Sequence, residues 1–193
     1  MRGSEGAKSP YPPGFTRVQY LYLDGTGTIS LETEGSEETD AFELDFQRTV
    51  NTSNMRLVTS TSMNCQMYVT GSGRLGWTYN GTWMNYSAYL VSTSHRIAGI
   101  DYVNKKAWIA AGNTTWTGSS TKTTDGAIMT IGGAYGNNAR FTGYVFGFKY
   151  WRNGVNIRDL HMLRDANNNP FVFDMANGVF REVTGGVTVG PDF

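Results

Sequence analysis

The chain has 193 residues, enough for one domain with its own hydrophobic core. Sixteen Lys and Arg balance sixteen Asp and Glu. This balance excludes the overall positive field that draws a protein onto nucleic acid. No run of about 18 apolar residues occurs, so membrane insertion is not expected. Aromatic residues reach 13% and glycines number 24, while charged residues make up only 17%. Such a composition favours many short strands joined by glycine turns.

Residues 1–14, MRGSEGAKSPYPPG, are too polar to pack by themselves. We predict a short extended N-terminal arm there, followed by one domain over residues 15–193. Tyr11, Pro12 and Pro13 favour an extended conformation suited to lying along another subunit. The alternative is that the arm lies on its own domain. The start of the chain lacks the apolar stretch of a signal peptide, so we expect synthesis in a cytoplasm.

Strand patterns begin at Phe15. TRVQYLYL, the turn Asp24–Gly27 and TISLET together predict a hairpin. AFELDFQRTV alternates apolar and polar residues, which predicts a strand with Phe42, Leu44 and Phe46 on one face and the acidic residues on the other. The segments MRLVTSTS, NCQMYVTG, RLGWTYNG and NYSAYLVS follow at intervals of roughly ten residues, a spacing typical of a sandwich. No long stretch keeps a helical apolar period, so we expect little helix.

Turn residues divide the second half of the chain in the same way. Asn104–Lys106 predicts a hairpin between HRIAGIDYV and AWIAAG, and Asn137 and Asn138 predict a turn before FTGYVFGFKYW. Asp165–Asn169 predicts a polar turn ahead of Pro170. Ala176–Gly178 predicts another hairpin between PFVFDM and VFREV.

The order of these pieces resembles the concanavalin A-like lectin/glucanase superfamily in its laminin-G-like form. Three stretches carry the likeness: GFTRVQYLYLDGTGTISLET, HRIAGIDYVNKKAWIAAG, and GYVFGFKYWRNGVNIRDLHMLRDANNNPFVFDMANGVFREVTGG. The version that it looks like is common in bacteriophage virion proteins and bacterial surface proteins. The resemblance implies an all-β, two-sheet antiparallel jelly-roll sandwich that contacts ligands or partners on its concave face or rim loops.

Glycosidases of this superfamily carry two catalytic carboxylates on one strand, because an acid and a nucleophile must flank the sugar bond. The matching strand here contains Glu43 and Asp45, but Gln47 stands where the second Glu is needed. An amide neither donates nor accepts the required proton. We therefore expect no enzyme, and we interpret Glu43 and Asp45 as a solvated strand face.

Other patterns give no catalytic or metal site. His95 and His161 lie far apart in sequence, and no acidic residue adjoins His95 to complete a triad. Asp165, Asn167 and Asn168 could supply calcium ligands, but an ordinary turn explains them. Cys65 has no second cysteine and is predicted to be a small core residue. The sequence thus predicts no cofactor and no bound metal.

Aromatic residues supply the candidate binding site. A glycan site is predicted from Trp77, Tyr79, Trp83, Asn85 and Tyr86, because sugar rings stack on aromatic faces while amides bond their hydroxyls. Two alternatives stay open: half of these rings form the core between the sheets, or they form a contact surface between subunits.

From these observations we expect a non-enzymatic bacteriophage virion structural protein, a capsid decoration protein or fibre-like appendage docked by its N-terminal arm. Its expected location is the virion, after synthesis in the host cytoplasm. Its expected partners are capsid or other virion proteins and further copies of itself, as a homo-oligomer such as a trimer. The alternative is a carbohydrate-binding module or lectin that recognises a cell-surface glycan.

Overall fold

The computed structural model describes residues 9–52, 54–60, 65–90, 93–110, 112–118, 127–133 and 140–193, without the side chains of 86–90. These residues form eighteen β-strands and no α-helix. Within this part of the chain, no helix is long and apolar enough to cross a membrane.

The strands, in chain order, are β1 Thr16–Arg17, β2 Leu21–Asp24, β3 Thr28–Glu34, β4 Asp40–Arg48, β5 Arg56–Thr59, β6 Met67–Val69, β7 Arg74–Tyr79, β8 Thr82–Leu90, β9 Arg96–Asp101, β10 Lys106–Ile109, β11 Gly112–Thr115, β12 Ile128–Ile131, β13 Thr142–Arg152, β14 Val155–Arg164, β15 Pro170–Asp174, β16 Val179–Arg181, β17 Val183–Thr184 and β18 Val187–Val189.

Two antiparallel sheets pack face to face, which confirms the predicted jelly-roll sandwich. The large sheet runs β11-β10-β9-β4-β13-β14-β15-β16, with β1 paired to β14, β2 paired to β13, and β18 paired to β2. The small sheet runs β17-β3-β12-β5-β6-β7-β8. Strand β13 occupies the centre of the large sheet because it pairs with β4, β14 and β2.

One predicted hairpin is wrong. The turn Asp24–Gly27 does not join two paired strands, because β2 belongs to the large sheet and β3 to the small one. The Asp24 carboxylate accepts the Thr26 N–H at 2.8 Å, and Gly25 takes a φ of +94°. The local turn chemistry was correctly recognised, but it carries the chain from one sheet to the other.

The other predicted hairpins that the structure describes are confirmed. Strand β9 pairs with β10 across Asn104–Lys105, β14 with β15 across the Asp165 turn, and β15 with β16 across Ala176–Gly178. The predicted turn at 137–138 lies outside the described residues.

The core lies between the sheets and is rich in aromatic rings. On the large sheet Phe42, Leu44 and Phe46 are fully buried, as their alternation predicted. On the small sheet Trp77 packs against Trp116 at 5.2 Å between ring centroids. Cys65 is also buried, in agreement with its predicted role as a core residue.

Two arginines, Arg152 half-buried and Arg181 buried, join the two sheets. Arg152 donates to the Asp40 carboxylate at 2.8 Å and to the Glu34 carbonyl at 2.6 Å, thereby linking β13, β4 and β3. The Tyr150 hydroxyl also donates to Asp40, and burial followed by the nearby Asp40 charge raises the tyrosine pKa. Arg181 bonds Asp174 of the same sheet at 2.6 Å and Glu32 of β3 in the small sheet at 2.6 Å. These arginine contacts therefore link the two sheets.

Candidate functional site: a groove on the large sheet

Strand alternation places two carboxylates on the outer face of the large sheet. Glu43 and Asp45 lie half-buried on β4 and point away from the core, as predicted. In the neighbouring strands Glu43 pairs with Gly99 on one side and with Lys149 on the other. Trp108 pairs with Gly99 in turn. The sheet thus sets Trp108, Glu43 and Lys149 in one row across four strands.

Trp108 lies flat over the neighbouring strand because that strand has a glycine beneath it. A Cβ atom added to Gly99 would stand 2.1 Å from the indole ring. The Trp108 Nε1–H donates to Glu43 Oε2 at 3.3 Å. An apolar ring face and a carboxylate therefore lie side by side, each partly exposed.

Three adjoining cavities of about 310, 490 and 270 Å³ follow this face. The first two share Glu43 and Ile97, and the second and third share Trp108. We call these three adjoining cavities together the groove. Trp151, half-buried on β13, lines the third cavity beside Trp108.

His95 and Asp45 form a hydrogen-bonded contact at the side of the groove. The His95 Nε2 bonds Asp45 Oδ1, and the imidazole packs on Phe146 with 4.2 Å between ring centroids. The two residues lie 50 positions apart in sequence, so sequence order alone gave no sign of this acidic partner.

His161 marks the opposite side of the groove. Its Nδ1 lies 2.8 Å from the Tyr11 hydroxyl, and its Nε2 lies 3.4 Å from Asp159. Burial lowers the pKa of His161, and the Asp159 charge opposes that shift only in part. The neutral imidazole is therefore favoured in the folded protein.

The groove carries both acidic and basic groups. Its lining includes the carboxylates of Glu43, Asp45 and Asp159. It also includes the cations Arg17 and Lys149 and the titratable His161. Mixed charge of this kind provides hydrogen-bond donors and acceptors without a strong net field.

Among the residues that the structure describes, no group of three or more His, Cys, Asp or Glu could hold a metal ion. At the polar loop considered for calcium, the Asp165 carboxylate instead accepts the backbone N–H groups of Asn167 at 2.9 Å and Asn169 at 2.8 Å. These bonds lower the Asp165 pKa, with the Asn169 side chain as the largest cause. The geometry is that of an ordinary Asx turn.

The structure separates the predicted aromatic site into two parts. Trp77 is 2% exposed and Tyr79 is 7% exposed, so both belong to the core and cannot line a surface site. Trp83, 41% exposed, and Asn85 do lie on the outer face of the small sheet. The side chain of Tyr86 lies outside the described residues.

Trp83 belongs to a small surface patch formed by Trp83, Tyr68, Arg56, Asn54, Thr70 and Asn85, which we call the Trp83 patch. Trp83 meets Tyr68 edge-on at 4.8 Å, and the Arg56 guanidinium lies 4.5 Å from the Trp83 ring centroid. The Tyr68 hydroxyl donates to the Met84 carbonyl at 3.0 Å. Burial raises the Tyr68 pKa to about 12.

The described part of the predicted arm packs on its own domain. Tyr11 bonds His161 as above, and the Phe15 N–H donates to the Pro12 carbonyl at 3.3 Å. The ring centroids of Phe15 and Phe171 are 5.0 Å apart. Tyr11 and Pro12 are half-buried and Pro13 is exposed, whereas residues 1–8 lie outside the described residues. These contacts correspond to the alternative in which the arm lies on its own domain.

Sequence reasoning missed Trp108 as a site residue. A signal was present, because Ala107 and Ile109 alternate with it as buried residues and thereby predict an outward tryptophan. The positions of Glu43 and Gly99 beside it depended on strand order, which no local pattern reveals.

No family model and no curated protein matches this chain. Among solved structures, it is similar to the native heptameric SAP-like pentraxin from Limulus polyphemus, with a TM-score of 0.56 and 12% sequence identity. That match covers 91% of this chain and 96% of the pentraxin chain. The likeness shows that the two chains share a fold. The virion setting, the capsid partners and the docking role of the arm stay predictions. At the level of fold, the chain is a two-sheet jelly roll.

Proposed function

We propose that this domain binds carbohydrate in the groove and does not chemically change it. The observation that carries the proposal is the pairing of Trp108 with Glu43, where an exposed indole face adjoins a carboxylate. Sugar rings present apolar faces that stack on aromatic rings, and their hydroxyls donate to carboxylates. The groove offers both kinds of contact within one row of the sheet.

The charge pattern favours an uncharged ligand. Glu43, Asp45 and Asp159 oppose Lys149 and Arg17 around one cavity, which the neutral His161 also lines. An anionic ligand such as nucleic acid would meet three carboxylates there, and repulsion would offset the attraction of the cations. A neutral sugar can use both sets, because hydroxyl groups donate as well as accept.

Binding without catalysis is supported by the residues of β4. Gln47 follows Asp45 on the same outward side of the strand, and its amide cannot act as an acid or a nucleophile. Glu43 bonds the Trp108 indole, which suits a carboxylate that orients a ring and a ligand. The lectin-like fold of the pentraxin neighbour agrees with a binding role.

The test is a glycan panel followed by calorimetric titration of the best ligand. We expect weak binding, micromolar to millimolar, and at least about a tenfold loss of affinity in Trp108→Ala. The matched control is Trp83→Ala, which removes a partly exposed tryptophan from the other sheet and should leave the affinity unchanged. Loss of binding in Trp83→Ala alone would place the ligand on the Trp83 patch. An intact protein that ignores the whole panel would contradict the proposal.

The same proposal includes self-association. The pentraxin neighbour is described as heptameric, and several copies of a weak site raise the avidity for a repetitive surface glycan. The mass of the purified full chain in solution tests this part. A single-chain mass at all concentrations would contradict it and leave the site proposal unaffected.

A further inference from the structure

A bulge in β13 brings an extra aromatic side chain into the groove. The pairing of β13 with β4 shifts between Val145 and Gly147, so Phe146 is the inserted residue. Phe146 and Gly147 both line the groove, while Val145 and Phe148 are buried in the core. A bulge re-aims side chains in this way, and bulges are frequent beside binding sites.

Beyond Phe146 lies a group of three half-buried tyrosines, Tyr20, Tyr22 and Tyr144, which we call the tyrosine shelf. Tyr144 pairs directly with Tyr22 across β13 and β2, with 5.3 Å between ring centroids. The centroid of the Tyr20 ring lies 4.7 Å from that of Tyr144 and 5.5 Å from that of Phe146. The rings thus continue without a gap from the groove.

At the tyrosine shelf, as at Trp108, an aromatic ring lies over a glycine. A Cβ atom added to Gly190 would stand 2.6 Å from the Tyr20 ring, so this ring also lies across a glycine of a neighbouring segment. In both places a missing side chain lets an aromatic ring lie flat on the sheet. Flat, partly exposed rings are the geometry on which sugar rings stack.

The distance along the sheet sets the size of the ligand. Tyr144 and Trp151, both on the outer side of β13, pair with Gln47 and Ala41 of β4, which are six residues apart, or about 20 Å at 3.3 Å per residue. A single sugar ring covers only a small part of that length. Three residues line the cavity between the two ends. Phe146 offers an aromatic ring, Gly147 has no side chain, and Lys149 can donate hydrogen bonds.

We propose that the ligand is an internal stretch of an unbranched polysaccharide. It starts at Trp108 on β10, passes Glu43 on β4 to reach β13, and continues along β13 to the tyrosine shelf. This inference rests on the proposed function and defines its ligand class. A terminal sugar would stack on only one aromatic ring, whereas a polysaccharide contacts several aromatic rings in succession. Each added sugar unit therefore increases the binding affinity until the tyrosine shelf is occupied.

The experiment is a length series, from one to six units, of unbranched β-linked glucose, xylose and N-acetylglucosamine oligomers, titrated into the full chain. For the oligomer class that binds, the hexamer should bind at least tenfold more tightly than the dimer. In Tyr20→Ala the hexamer should lose most of that advantage, and the dimer affinity should not change. Trp83→Ala is the control and should match the unmodified protein at every length.

The urea unfolding curve of Tyr20→Ala, together with its expected unchanged affinity for the dimer, guards against loss of folding. Equal affinity for dimer and hexamer would overturn the chain-length inference while leaving the proposed function standing. An equal loss for both lengths in Tyr20→Ala, with an unchanged unfolding curve, would also overturn it. If no oligomer binds and the glycan panel is negative, the proposed function fails together with this inference.

Discussion

Trp108 and Trp83 lie on opposite outer faces of the sandwich, and their surroundings differ. The groove around Trp108 contains carboxylates, a lysine and two histidines along several strands. Trp83 instead packs on Tyr68 and Arg56, and the Tyr68 hydroxyl is bonded to the backbone of the same sheet. An exposed tryptophan is therefore a poor guide to a binding site by itself. The groups beside the ring distinguish a ligand platform from a ring that mainly stabilises its own sheet.

The largest effect is expected where a tryptophan predicted for the surface lies in the core. Trp77→Ala should lower the free energy of unfolding by about 3–5 kcal/mol, because it removes a buried indole that packs on Trp116. Trp83→Ala should cost about 1 kcal/mol or less, because that ring is partly exposed. Urea unfolding of both variants measures the difference. Equal losses would show that the two rings are not divided between core and surface.

A second comparison uses the glycines beneath the two aromatic surfaces. Gly99→Ala and Gly76→Ala both place a Cβ against a ring, at 2.1 Å from Trp108 and 2.5 Å from Tyr68. Overpacking of this kind costs about 1–3 kcal/mol of stability in each variant. Only Gly99→Ala should also weaken glycan binding, because only Trp108 lies in the proposed site. A binding loss in Gly76→Ala, measured by titration at matched stability, would contradict this distinction.

The smallest expected effect is a pH dependence of stability that comes from His161 in the groove. Burial lowers the pKa of His161 below its ordinary value of about 6.5, and Arg17 and Lys149 act in the same direction while Asp159 opposes them. Below that ordinary value the unfolded chain binds the proton more readily than the folded one, so stability falls as pH drops through about 6.5. The fall ends once the pH is below the folded pKa.

His161→Gln should remove this contribution, and Tyr11→Phe tests the part that depends on the Tyr11 hydroxyl. Urea unfolding from about pH 7.5 to 5 measures the slope. A slope that His161→Gln leaves unchanged would assign the pH dependence to other groups.

Much of the fold could be predicted from local pattern. The alternation in β4 correctly assigned Phe42 to the core and Glu43 to the surface. Turn chemistry located the Asn104 and Asp165 hairpins. The turn at Asp24 was also located, but its role in changing sheets was not, because both outcomes use the same local residues.

The site was harder to predict because its contacts join distant strands. Trp108 and Glu43 are 65 positions apart, and they meet only because β9, with Gly99, lies between their strands. The Phe146 bulge breaks the alternation that would otherwise assign faces along β13. Trp77 and Trp83 lie in adjacent strands of one hairpin, and composition does not show which ring points inward.

The most direct measurement is a crystal structure of the protein with the oligosaccharide that binds most tightly in the panel. We expect sugar rings on the outer face of the large sheet, with one ring stacked on Trp108 and its hydroxyls bonded to Glu43. The oligosaccharide should continue toward Tyr144. A ligand bound at Trp83 on the small sheet, with the groove containing only solvent, would contradict carbohydrate binding in the groove.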